Sequence, residues 1–175
     1  MLVVNLCGGA GCGKSTTRAG LFHLLKLQGI ICEEAIEHVK QQVYAENKYI
    51  FTDQLMILAE QSKILKQLDG KVRIAVSDSP LLLSSVYSPK ASQAFHEVVL
   101  EEFGRFDNLN ILLQRTKPYQ GVGRYGDKAQ AIQKDEEVKE FLDSHKIPYF
   151  VVAGDENAPN YILELIWKHS WEYMV

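Results

Sequence analysis

Apolar positions along the chain fall into two patterns that take turns from one end to the other. Short runs from Leu2 to Cys7, Ile30 to Glu34, Val72 to Ser77, Leu109 to Leu113 and Tyr149 to Val152 have the length and composition of buried strands. Between them the spacing changes to that of helices. The stretch from Ser15 to Gln28 is amphipathic, Ile36, Val39 and Val43 share one face, and Leu55, Leu58, Leu65 and Leu68 share another. Phe95, Val98, Val99 and Phe106 make a third, and Ile162, Leu165 and Ile166 a last one. Strands that are apolar on both faces and alternate with helices predict an α/β fold, a parallel sheet with right-handed crossovers and helices on either side. No repeat, low-complexity tract or linker interrupts the series, so residues 1–175 are expected to form a single domain. Sheets of this kind bind ligands beyond the carboxyl ends of their strands.

The first such end carries the strongest chemical signal. Gly8, Gly9, Ala10, Gly11, Cys12, Gly13, Lys14 and Ser15 satisfy the pattern G-x-x-x-x-G-K-[ST], between the first apolar run and the first amphipathic stretch. Strand, glycine-rich turn and helix is the context in which this pattern binds phosphate. Glycines turn backbone N–H groups toward the β- and γ-phosphates, and the helix N-terminus adds partial positive charge. Lys14 supplies a point charge, Ser15 a hydroxyl ligand for Mg²⁺, and Thr16 continues the phosphate-binding segment. ATP and Mg²⁺ are the expected cofactors.

Two acids follow later strands. Asp78, in Asp78-Ser79-Pro80, emerges where the third strand stops and is the first choice for the acidic partner of the loop, near the metal or the attacking hydroxyl. A strand exit in which Asp accepts backbone hydrogen bonds is its structural alternative. Glu37, in the first turn of a helix expected to begin near Ala35, has two readings: the proton acceptor for a substrate hydroxyl, or a solvated acid at the favourable end of a helix.

After the fourth strand, residues 115–128 contain three glycines and a proline together with Arg115, Lys117, Arg124 and Lys128 against the single acid Asp127. This composition predicts a lid, with Arg115 and Arg124 neutralising charge on the transferring phosphoryl oxygens while closure excludes water. Tyr119 or Tyr125 offers a ring to stack on a base. Thr52 is the better N-cap candidate for the helix that carries Leu55 and Leu58, with Asp53 capping or charge-stabilising it as the alternative. Gln54 and Gln61 carry both donor and acceptor for a base edge.

Composition narrows the picture. The net charge is −3, which argues against a broadly basic nucleic-acid binder, and positive charge is concentrated in the lid segment. Cys7, Cys12 and Cys32 have no zinc-like spacing and are expected as reduced thiols. No apolar run approaches the ~20 residues of a membrane span, and the first strand is too quickly broken by glycine to be a secretory signal. A cytoplasmic protein without membrane contacts is expected. The five histidines show no metal-binding or nucleophile spacing.

Taken together, the loop, the Asp78-Ser79-Pro80 exit and the segment from Arg115-Thr116-Lys117-Pro118-Tyr119 to Gly123-Arg124 resemble the P-loop kinases of the nucleoside and nucleotide kinase branch, thymidylate-kinase-like proteins. That resemblance implies a P-loop NTPase fold with a five-stranded parallel sheet, an arginine-bearing lid, ATP and a nucleoside-type acceptor. More narrowly, Asn5 to Thr17 with Ala19-Gly20-Leu21-Phe22, Asp78-Ser79-Pro80 and Lys117-Pro118-Tyr119 are similar to kinases of bacteriophages, among them those that phosphorylate 5-hydroxymethyluracil in phage DNA. This implies DNA as a partner and the host cytoplasm as location. Many deoxynucleoside and thymidylate kinases place an arginine directly after the strand-end acid, where this chain has Ser79. A free nucleoside or nucleotide kinase and a ribosylnicotinamide-type kinase are the alternatives within the branch. A regulatory or motor ATPase is the alternative outside it.

Overall fold

The computed structural model describes residues 1–36, 53–120 and 127–169. Five strands, β1 (Leu2–Cys7), β2 (Cys32–Ala35), β3 (Ile74–Ser77), β4 (Asp107–Gln114) and β5 (Phe150–Ala153), form one sheet in the order β2-β3-β1-β4-β5. Every pairing is parallel. All five carboxyl ends therefore line one edge of the sheet. The described helices are α1 (Lys14–Leu27), α2 (Gln54–Leu68), α3 (Leu83–Tyr87), α4 (Gln93–Phe103), α5 (Lys128–Ser144) and α6 (Ala158–His169).

Period-two alternation assigns the side chains of the sheet to two cores. Leu2, Val4 and Leu6 of β1 join Ile74, Val76, Leu109, Ile111 and Leu113 on the face covered by Leu21 and Leu25 of α1 and Ile162 and Ile166 of α6. Val3 and Cys7 point the other way with Ala75 and Leu112, under Leu58 and Leu65 of α2, Val86 of α3, Val99 of α4 and Val138 and Leu142 of α5. Every residue of β1 is buried, which makes it the axis of the sheet.

The second face holds a polar exception. Asn5 is buried, and its Nδ2 donates to Asn108 Oδ1 at 2.9 Å and to Asn110 Oδ1 at 3.0 Å. Asn110 in turn donates to the carbonyl of Pro148 at 3.0 Å, and Asn108 to those of Phe103 and Phe106. Since Asn5 lies opposite Asn110 in the β1–β4 register, a slip of one residue would strand these amides in an apolar layer.

Several boundaries differ from the sequence pattern for local reasons. The second strand runs through Ala35, so no helix begins there; Glu33 and Glu34 are strand residues, and Glu37 lies outside the described residues. Asp53 is the N-cap of α2, its carboxylate accepting from the Met56 N–H at 2.9 Å, in place of Thr52, which lies outside the described residues. Helix α4 stops at Phe103 beside Gly104, so Phe106 packs from the following turn. Helix α5, with 17 residues, has no counterpart in the apolar pattern because it buries only Ala131, Val138 and Leu142.

Replacing Asn5 by Ala removes the shared donor and leaves the buried Asn110 Oδ1 and the half-buried Asn108 Oδ1 without their partner. Thermal and urea unfolding of Asn5→Ala should show a loss of about 1–3 kcal/mol, the range for an orphaned buried polar group.

Candidate active site

Beyond Cys7 the chain leaves the core through a turn that only glycine accommodates at its first position. Gly8 has φ of 138°, and a Cβ there would meet Cys12 Sγ at 2.7 Å. Gly13, with φ of 115°, opens α1, whose N-terminus has no side-chain cap and no acid in its first turn. Its first-turn N–H groups thus form the anion-attracting end the motif requires. From the far side, Gly154 after β5 closes on the loop so tightly that a Cβ would stand 2.3 Å from the Cys12 carbonyl oxygen.

Lys14 Nζ folds back over this loop and donates to the carbonyls of Gly8 and Gly9 at 2.6 and 2.9 Å. The same Gly8–Gly9 peptide is engaged at its other end. Gly9 N–H donates to Asp135 Oδ1 of α5 at 2.6 Å, and Asp135 Oδ2 receives Nε and Nη2 of Arg115 at 2.9 and 2.8 Å. Arg115 follows β4 directly, so its ion pair ties the β4 exit and α5 to the phosphate loop. The guanidinium expected to meet a phosphoryl group is in this structure held by Asp135, with Nη1 buried and without a partner among the described residues. Residues 115–120 are irregular. Arg124 lies outside the described residues. Asp127 begins α5 as half of a capping box with Gln130.

Asp78 follows β3, next to β1, and is 2% exposed. Its Oδ2 meets Arg18 Nη1 at 2.8 Å, while Arg18 Nε meets Glu34 Oε1 at 2.7 Å. One arginine of α1, a turn beyond Lys14, therefore bridges the acids that end β2 and β3. Burial opposes the Arg18 charge most strongly, but the facing Asp78 and the hydrogen bond to Glu34 outweigh it, and the guanidinium pKa moves upward. Neither Arg18 nor Asp135 stood out in the sequence. For Arg18 a signal existed: it shares a helical face with Lys14 four residues earlier. For Asp135 none did, since its partners are 126 and 20 residues away in the chain.

Mg²⁺ keeps several waters and takes one or two protein oxygens beside substrate phosphates. Ser15 and Asp78, the latter with Oδ2 on Arg18, are the residues that would hold it, without a dedicated cage. Among the described residues no group of three or more His, Cys, Asp or Glu forms one. On α2, Gln54 and Gln61 are buried, and Gln61 Oε1 has no partner among the described residues.

A family model described as "AAA domain" matches residues 3–158, from β1 to the first residue of α6. The chain belongs to the AAA domain family. Among solved structures, this AAA domain is similar to deoxyadenosine kinase from M. mycoides with products dCMP and a flexible dCDP bound. That likeness has a TM-score of 0.57 and 20% identity, and covers 95% of this chain and 99% of the other. The same enzyme with bound dCTP gives a TM-score of 0.52 at 17% identity, covering 95% and 98%. Shikimate kinase from Acinetobacter baumannii covers 97% of this chain and 94% of its own at a TM-score of 0.48 and 14% identity, too loose a likeness to bear on the acceptor. No curated protein sequence matches the chain. These likenesses establish the α/β fold with five parallel strands and flanking helices. Among the described residues no helix is long and apolar enough to cross a membrane.

Two outcomes follow from the buried groups. Arg18→Ala leaves Glu34 and Asp78 without their shared counter-charge, and urea unfolding should show a loss on the order of 3 kcal/mol, relieved in part by adding Asp78→Asn. The second concerns the thiols. Burial pushes Cys7 up to about 12 and Cys32 up to about 11 from an ordinary 9.0, so the folded chain holds both protons more tightly than the unfolded one. Their contribution is intact below pH 9.0 and fades as pH rises toward the folded values, so the urea midpoint should fall more steeply in this range than in the Cys7→Val/Cys32→Val variant.

Proposed function

We propose that this AAA domain is a Mg²⁺-dependent kinase that transfers the γ-phosphoryl group of ATP to a hydroxyl of a nucleoside-type acceptor. The observation that carries the reading is the union of loop and acid: α1 begins with the phosphate-loop lysine and, one turn on, its Arg18 holds Asp78 at 2.8 Å. Phosphoryl donor and acceptor-side carboxylate are thereby linked through one rigid helix, the positioning that phosphoryl transfer depends on.

In this reading Lys14 leaves the Gly8 and Gly9 carbonyls to meet the β- and γ-phosphates, and the N–H groups at the start of α1 hold the same oxygens. Ser15 and Asp78 would hold Mg²⁺, which would supply charge to offset that of the phosphates. The acceptor oxygen forms its bond to the γ-phosphorus as the bond to the β–γ bridging oxygen breaks, and ADP departs. The hydroxyl proton passes to a carboxylate, Asp78 or Glu37. Arg124 keeps the role of charge clamp that the sequence suggests for it. Buried Gln61, with its unpartnered Oε1, supports an acceptor that presents a hydrogen-bond donor such as a base edge. The fold likeness to a deoxynucleoside kinase supports the acceptor class, whereas 5-hydroxymethyluracil in DNA rests on the resemblance of the motifs alone.

Labelled ATP offered with deoxyadenosine, deoxycytidine, thymidine, their monophosphates, ribosylnicotinamide and oligonucleotides with and without 5-hydroxymethyluracil tests the proposal. Label in one acceptor class with matching ADP release is expected. Steady ATP hydrolysis that ignores every acceptor would overturn the kinase reading in favour of a regulatory ATPase. Lys14→Ala should lower transfer by at least ~10²-fold, the order for loss of a charge-stabilising donor. It should also lower the thermal midpoint modestly, because two loop carbonyls lose their donor.

A further inference from the structure

Arg115 and Asp135 are set against the outside of the phosphate loop in an arrangement that a surface ion pair does not need. Helix α5 lies so close to Gly9 that a Cβ there would stand 2.4 Å from the Ala131 carbonyl oxygen and 2.9 Å from Asp135 Oδ1. The approach lets the carboxylate take the Gly9 N–H at 2.6 Å. A full negative charge thus sits on the backbone of a loop whose task is to receive phosphate, and like charges at such range repel. Arg115 faces that charge with two nitrogens on Oδ2, and its side chain is 13% exposed, so solvent screens the pair only weakly. A chain of contacts then runs from Arg115 through Asp135 to the Gly8–Gly9 peptide and, on the other side of that peptide, to Lys14.

We propose that Arg115 serves nucleotide binding through Asp135, as a positioning residue: Asp135 fixes the first peptide of the phosphate loop against α5, and Arg115 cancels the carboxylate charge that would otherwise repel the incoming phosphates. This rests on the nucleotide-binding reading above and changes the part played by Arg115 within it. A clamp on the transferring phosphoryl group acts in the transition state and is insensitive to Asp135. A neutraliser acts on affinity, and its loss is cured by removing the charge it neutralises.

The experiment is a double-mutant cycle read as the Kd of a non-hydrolysable ATP analogue with Mg²⁺, measured by calorimetry on the full chain. Arg115→Ala should weaken binding by about tenfold or more, because an uncompensated carboxylate remains beside the loop. Asp135→Asn should cost less, since the amide oxygen still accepts from Gly9 N–H. The combined variant should bind within about threefold of Asp135→Asn alone, a recovery that only charge compensation predicts. Should Ala at position 115 unfold the chain, Arg115→Lys carries the test: the ammonium keeps the charge without the fork and should bind the analogue nearly as the unaltered chain does. Equal weakening in Arg115→Ala and the combined variant would overturn the proposal and make Arg115 a direct phosphate ligand. Unchanged Kd in Arg115→Ala would overturn it too, and leave the pair a packing contact. An unaltered chain that fails to bind the analogue would instead overturn the nucleotide-binding reading on which the proposal stands.

Discussion

A strand buried along its whole length can end in a glycine-rich loop only if something else satisfies the backbone groups that the sheet no longer pairs. This constraint organises the region beyond β1. The carbonyls of Gly8 and Gly9 are taken by Lys14, the N–H of Gly9 by Asp135, and the Cys12 carbonyl lies under Gly154. α1 and α5 reach the loop for this reason, while the β4 exit joins through Arg115 on Asp135 and the β5 exit packs against the loop at Gly154. The convergence also holds the loop open toward the helix N-terminus, where an anion has N–H groups waiting for it.

Charge is distributed around the loop with a similar economy. On the β3 side, Arg18 stands between Glu34 and Asp78; on the β4 side, Arg115 stands against Asp135. Both arginines are mostly buried, and each is locked by acids from a different element. Such pairs contribute little net stability compared with an apolar packing of the same volume, but they fix geometry, because breaking either leaves a charge in a poorly solvated place. What the two pairs fix is the position of strand ends relative to a helix, which is the precision that in-line phosphoryl transfer asks for.

The strands were legible because each is a compact apolar run, and the loop because its residues are contiguous. Five strands at nearly the predicted places, and an α/β layering, follow from period and alternation alone. Less legible were features that depend on distant partners. Helix α5 buries too few side chains to impose an apolar period, so both it and Asp135 went unread. Arg18 is one of several basic residues in the sequence, and only the meeting of β2 and β3 with α1 gives it two carboxylates. The second strand hid its end because Cys32 and Ala35 are buried while Glu33 is exposed and Glu34 half-buried at a sheet edge, a three-residue spacing of apolar positions that fits the start of a helix as readily.

Gly154 gives the fold an order in time. A loop that begins at Gly8 is braced by Gly154, far later in the chain, and by a helix, α5, that comes shortly before that glycine. During synthesis the loop is made well before β5, and it is braced only when β5 joins the edge of the sheet and its exit closes on Cys12. Contacts across so long a stretch of sequence form slowly and break together. A molecule in which β5 has not yet joined the sheet therefore has the sequence of the loop without the brace that Gly154 gives it.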